Sequence, residues 1–245
     1  MERKIEIRKE KGRPLSGILT YRKQSKNLII FVVGLGGTKE QHIFYNAAKY
    51  FPKEHYDTFR FDFSSEKEEN ALSEGSIVFF KEDLNEVLSY FETRYENIFL
   101  VAHSFGACVV IGAKHEVAKK LVFWDGAFFP KTKESEEFNK NYFEYIESLD
   151  KYVFKGKIEF LVSKQLVEER INQDERILGQ IKTPLKLIMA ENFFLKENWS
   201  KYLNLLNIPY EFLIVEGAGH NFDEQGKEKK LFAETLLYLK ENKTS

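Results

Sequence analysis

Ser104 stands in the segment AHSFG (102–106), directly after an apolar run and directly before a helix-compatible stretch. A serine hydroxyl becomes a nucleophile when a sharp strand-to-helix turn projects it and a base takes its proton. Small residues two before and two after the serine let the backbone pass. Ala102 and Gly106 supply them, with alanine standing where glycine is commoner. The following amide, on Phe105, would sit at a helix N-terminus and could bind an oxyanion. A serine in a βα turn is weak evidence alone; the strand–turn–helix setting makes the pattern specific.

His220 stands in EGAGHNF (216–222), just after the last apolar run. Neutral imidazole titrates in the range a general base needs, and flanking glycines let a loop carry it over a sheet edge. Taken by itself, a loop histidine is usually a polar surface group; its pairing with Ser104 gives it weight. His42, His55, His103 and His115 show no metal-ligand spacing, so no metal site is expected, and His103 is expected to pack inside the turn. A third segment, VVGLGGT (32–38), follows the first fully apolar run. Its glycines would let the Leu35 amide approach a reacting carbonyl as a second oxyanion donor. A phosphate loop is the rival, but GLGG lacks both the full G-x-G-x-x-G spacing and the P-loop lysine.

These residues need elements to position them. LIIFVV (28–33) is a continuous apolar run, as in a strand buried on both faces, and TFRFDF (58–63), NIFLVA (97–102), KLVFWD (120–125), LKLIMA (185–190) and YEFLIV (210–215) read the same way. Ile5 and Ile7 alternate with charges, and GILTYRK (17–23) could pair with them across a turn at Lys11-Gly12-Arg13-Pro14. Helices are expected at 39–51, 77–94, 105–118, 195–206 and 223–241. The clearest, 77–94, sets Phe80, Leu84, Val87, Leu88 and Phe91 on one face. Alternating strands and helices imply a mostly parallel sheet with helices on both faces, whose ligands bind beyond the strands' carboxyl ends. Residues 131–183 interrupt this rhythm, being too long for a simple connection. They carry Phe138, Tyr142, Phe143, Tyr145, Tyr152 and Phe154, and KYVFKGKIEFLV (151–162) could be a hairpin about Lys155-Gly156. The segment is expected to form a cap over the sheet edge, a decorative insertion being the plainer alternative.

The 245 residues suit one domain carrying an insertion, with a core of 1–130 and 184–245 and a cap of 131–183. A net charge of −1 favours neither nucleic acid nor an anionic membrane as partner. The lone cysteine, Cys108, excludes an intramolecular disulfide and is expected to be a small buried hydrophobe. The charged N-terminus has no signal-like apolar stretch, and no apolar run reaches the ~18 residues that span a bilayer. A cytoplasmic location is the default expectation. The charged run SSEKEEN (64–70) is expected to be a solvated loop.

Together these segments resemble the α/β-hydrolase superfamily, over nearly the whole chain outside 131–183. FRFDFSSEKEENALSEG (59–75), IKTPLKLIMAEN (181–192) and VEGAGHNF (215–222) look like the branch of cinnamoyl/feruloyl esterases, monoglyceride lipases and serine aminopeptidases. The resemblance implies an eight-stranded, mostly parallel sheet with a cap after the sixth core strand. It also implies an acyl-enzyme on serine and no cofactor. Two departures stand out. Val33 replaces the histidine usual before the oxyanion glycine. The family's acid, expected after 185–190, would fall near Asn192 or Phe193, and neither is a carboxylate. Glu191 is adjacent and one methylene longer than aspartate, so it is preferred as the acid. Asp125, ending KLVFWD, is the alternative, or neither serves.

The expected activity is a carboxylesterase-like serine hydrolysis of a small ester, with an apolar or aromatic acyl group suggested by the aromatic insertion. Thioester and peptide cleavage use the same machinery. The missing acid motivates a rival from another class, a non-catalytic binding or interaction module on the same fold. The natural substrate and the oligomeric state are not legible.

Overall fold

The computed structural model describes residues 1–9, 13–23, 25–64, 71–156 and 158–241. Its strands are β1 (Glu2–Ile7), β2 (Leu15–Thr20), β3 (Asn27–Val32), β4 (Asp57–Phe61), β5 (Asn97–His103), β6 (Lys120–Trp124), β7 (Phe143–Ile146), β8 (Lys151–Lys155), β9 (Glu159–Ser163), β10 (Leu185–Ala190) and β11 (Tyr210–Val215). Eight of them form one sheet in the order β1-β2-β4-β3-β5-β6-β10-β11. The two pairings that β2 makes, with β1 and β4, are antiparallel; the remaining pairings are parallel. This is the mostly parallel eight-stranded sheet expected. Lys11 and Gly12 of the expected first turn lie outside the described residues, as do 65–70 of the charged run.

The helices are α1 (His42–Tyr50), α2 (Ala71–Glu74), α3 (Ile77–Glu92), α4 (Gly106–Ile111), α5 (Lys133–Tyr142), α6 (Lys164–Ile171), α7 (Leu195–Ser200) and α8 (Lys227–Lys240). Successive side chains of a strand point to opposite faces, so an unbroken apolar run feeds two cores. Leu28, Ile30 and Leu100 pack with Phe80, Leu84 and Val87 of α3. Their neighbours Ile29, Phe31 and Val101 pack on the other face with Phe44 of α1 and Phe232 of α8. Burying each such side chain stabilises the fold by ~1.5–3 kcal/mol. Helix α3 starts where Ser76 caps it, its hydroxyl accepting from the Phe79 amide at 3.0 Å. The stretch expected as one helix at 105–118 ends at Ile111 and resumes as a short 3-10 turn, His115–Val117. The stretch 195–206 divides the same way, at Ser200.

Residues 131–183 build a second, three-stranded antiparallel sheet, β7-β8-β9, flanked by α5 and α6. The hairpin foreseen at 151–162 is β8–β9. The segment leans on the start of α3. Ser163 donates to the Gly75 carbonyl at 2.5 Å, and the Ile77 amide donates to Glu169 Oε2 at 2.6 Å. Its first residue turns back on Gln173, whose carbonyl accepts from the Lys131 amide at 3.2 Å. No helix among the described residues is long and apolar enough to cross a membrane.

Candidate active site

Ser104 sits between β5 and α4 with φ 52°. A non-glycine residue in this region is strained by ~1–3 kcal/mol and persists only where its surroundings hold it. Here the Ser104 amide donates to Trp124 O at 3.1 Å, and its carbonyl accepts from the Ala107 and Ala127 amides at 3.0 and 2.8 Å. The turn passes so close to β3 that a Cβ on Gly106 would lie 2.5 Å from the Val32 carbonyl oxygen. Only glycine fits there. On the facing turn, a Cβ on Gly34 would lie 3.0 Å from Ser104 Cβ, so the glycine-rich segment closes directly over the serine.

His220, on the loop after β11, brings Nε2 to 2.9 Å from Ser104 Oγ and Nδ1 to 2.5 Å from Asp125 Oδ2. An ionised carboxylate only accepts, so Nδ1 carries the ring proton and Nε2 presents its lone pair to the serine hydroxyl. Asp125 is fully buried, has φ 41°, and follows β6. Its Oδ1 accepts from the Ala190 amide of β10 at 3.1 Å, which leaves Oδ2 for the imidazole.

The preference for Glu191 is therefore corrected: the carboxylate touching the ring is Asp125. Glu191 leaves β10 exposed, and its Oε2 accepts instead from the Gly217 amide at 2.7 Å, bracing the histidine loop from outside. The extra methylene does not bring it to the ring: Glu191 is exposed on the outer side of the histidine loop and has no contact with His220. At the positions where the family acid was sought, the Asn192 amide donates to Ala218 O at 2.9 Å. Phe193 stacks on the imidazole with ring centroids 4.2 Å apart.

His103, expected only to pack, does more. Its Nε2 lies 2.9 Å from the His220 carbonyl oxygen. That oxygen can only accept, so Nε2–H donates and ties the two loops together. Burial, and secondarily the nearness of His220, pulls the His103 pKa down to about 3, so the ring stays neutral near pH 7. Trp199 secures the acid turn from below, its Nε1–H donating to Gly126 O at 2.7 Å. A histidine beside the serine was the available sequence signal for the first contact; nothing local marked the second.

Neither the Leu35 nor the Phe105 amide donates to another described residue, and both residues line the cavity that opens on Ser104 and His220. That cavity measures ≈ 550 Å³. Cys108, one turn beyond the serine, is fully buried. Its Sγ donates to Ala127 O at 3.0 Å, and burial pushes its pKa up to about 12. No group of three or more His, Cys, Asp or Glu among the described residues is arranged to hold a metal ion.

No protein-family model matches the sequence, and no curated protein matches it. Solved structures do match. Est1E from Butyrivibrio proteoclasticus superposes with a TM-score of 0.75 at 13% identity, over 96% of this chain and 97% of its own. An esterase domain from a Rhodothermus marinus protein gives 0.75 at 18% identity, over 97% of each chain. A dienelactone hydrolase from Anabaena variabilis gives 0.71 at 13%, over 98% of this chain and 96% of its own. The chain has the α/β-hydrolase fold. Within the α/β-hydrolase fold, the residue pairing with the loop histidine here stands after β6 rather than after β10.

Proposed function

We propose that the chain is a serine hydrolase that cleaves a carboxylic ester through an acyl-enzyme. Ser104 Oγ attacks the acyl carbon while His220 Nε2 takes its proton. The carbonyl oxygen, now negative, is bound by the Leu35 and Phe105 amides, and Asp125 stabilises the imidazolium. The ester C–O bond breaks and the alcohol leaves with the proton from His220. Water, activated by the same imidazole, then releases the acid and restores Ser104. One observation carries this reading: the continuous relay of 2.9 and 2.5 Å contacts from Ser104 through His220 to a buried carboxylate, facing an open cavity. The rival, a non-catalytic module, rests on a missing acid; the Asp125 contact with His220 supports the enzyme reading over it.

A fluorophosphonate probe tests the reading. Wild type is expected to label at Ser104 and Ser104→Ala not at all, with ester turnover falling by ~10⁴-fold or more. A wild-type protein that resists the probe and turns over no ester would defeat it. Phe129, Phe138, Tyr142, Phe143, Phe154 and Phe193 line the cavity, which supports a preference for an apolar or aromatic acyl group. Butanoyl and phenylpropanoyl esters are then expected to exceed acetate in kcat/KM, and equal values would remove the preference.

A further inference from the structure

Arg170, on α6 of the 131–183 segment, lines the same cavity as Ser104 and is only 2% exposed. Its surroundings are unusual for a buried cation. The ring centroids of Phe129, Phe143 and Phe138 lie 4.4, 4.8 and 5.2 Å from its guanidinium carbon. Nη2 donates to Asn139 Oδ1 at 2.9 Å, while Nε is sealed from solvent with no partner. No carboxylate among the described residues forms an ion pair with it. Burial lowers its pKa to about 10, and among the acidic groups only the Cys108 thiol offsets this at all. The side chain is still a cation at neutral pH. Buried guanidinium groups are ordinarily paired with an anion, because an unpaired charge out of water is strongly unfavourable. Three aromatic faces recover part of that, but leave donors unused.

We propose that Arg170 receives a carboxylate at the far end of the substrate's acyl chain, so that the substrate is a half-ester of a dicarboxylic acid. The proposal rests on the hydrolase reading for its ester, but not for the anion. The acyl side is favoured because Arg170 lines the cavity while almost wholly buried, where a departing alcohol has no way out. A single negative charge is favoured because Asp223 and Glu224 also line the cavity. Asp223 is paired with His42 at 2.7 Å, and Glu224 accepts from the Gly219 amide at 2.9 Å, so neither reaches Arg170. A dianion would face both across the cavity. A cavity walled by aromatic rings and lined by one buried guanidinium therefore suits an apolar chain with a terminal carboxylate.

The test compares mono-4-nitrophenyl adipate with its neutral methyl-capped diester. Wild type is expected to favour the half-ester at least tenfold in kcat/KM. Arg170→Met, which keeps the stem, is expected to bring the ratio to one or below, and Arg170→Lys to leave it in between. A parallel measurement follows the thermal midpoint of Ser104→Ala with monomethyl adipate. Saturable stabilisation absent with dimethyl adipate supports the anion site even if no ester is ever turned over, so failure of the hydrolase reading is seen separately. Should Arg170→Met not fold, the wild-type ratio and the Ser104→Ala binding decide alone. A wild-type ratio near one with no stabilisation by the monoanion overturns the proposal. A preference for 4-acetoxybenzoate over phenyl acetate, without one for the adipate half-ester, overturns it by moving the carboxylate to the alcohol.

Discussion

Two turns at the carboxyl edge of the sheet invite comparison, because each ends a parallel strand with an acidic residue and the two strands are neighbours. Asp125 closes β6 and Glu191 follows β10. Both carboxylates accept a hydrogen bond from a backbone amide, Asp125 from Ala190 and Glu191 from Gly217. What separates them is burial and reach. Asp125 is closed off from water, turned by a positive φ, and has its second oxygen 2.5 Å from the imidazole. Glu191 lies outside the loop that it braces. A carboxylate orients an imidazole when the backbone fixes one of its oxygens and a low-dielectric setting strengthens the contact of the other. Standing at the expected place in the chain does not suffice.

The comparison breaks first at Asp125→Asn. An amide there is expected to favour the wrong tautomer of His220, lowering kcat by about 10³–10⁴-fold with the protein still folded. Steady-state kinetics beside a melting curve would show it, and a loss under tenfold would return the acid to another residue. His103 sharpens the picture at the loop both turns serve. Its folded pKa of about 3 lies below the ordinary 6.5. The unfolded chain thus takes up a proton below pH ~6.5 that the native protein refuses until about pH 3. The stability this contributes is complete above that upper limit and declines as the medium is acidified, by roughly 1 kcal/mol per pH unit. His103→Gln keeps a donor but no titration, so its stability should fall less steeply between pH 6.5 and 4.5. Equal slopes would place the acid sensitivity elsewhere. The smallest effect is expected from Glu191→Ala. Losing an exposed carboxylate–amide contact should cost about 1 kcal/mol or less and change kcat within about twofold.

Much of the sheet was legible because its strands are short, mostly apolar runs, buried on both faces in β10 and left partly exposed at the edge in β11. LKLIMA and YEFLIV coincide with β10 and β11 residue for residue. The two flanking helices that divide were harder, since periodicity does not register where Gly112 ends one turn and tertiary packing tightens the next. Ser104 and His220 could be found because their turns impose local demands on small residues. The acid imposes none. Its position depends on how far a loop from one strand can lean toward another, which a linear pattern does not encode. The clue that existed was a carboxylate ending a wholly apolar run, followed by glycine: Asp is among the few residues that accept a positive φ. Arg170 was invisible for the same reason, its cage being assembled from Phe129, Phe138 and Phe143, distant in sequence from α6.

The closure of residues 131–173 upon themselves has an engineering consequence. The segment departs and returns through one point, the Lys131–Gln173 hydrogen bond, and every atom of the Ser104–His220–Asp125 relay lies outside it. It can thus be treated as a cassette. If the proposed hydrolysis holds, a transplanted loop of matching span would retune which molecules are admitted while leaving those contacts in place.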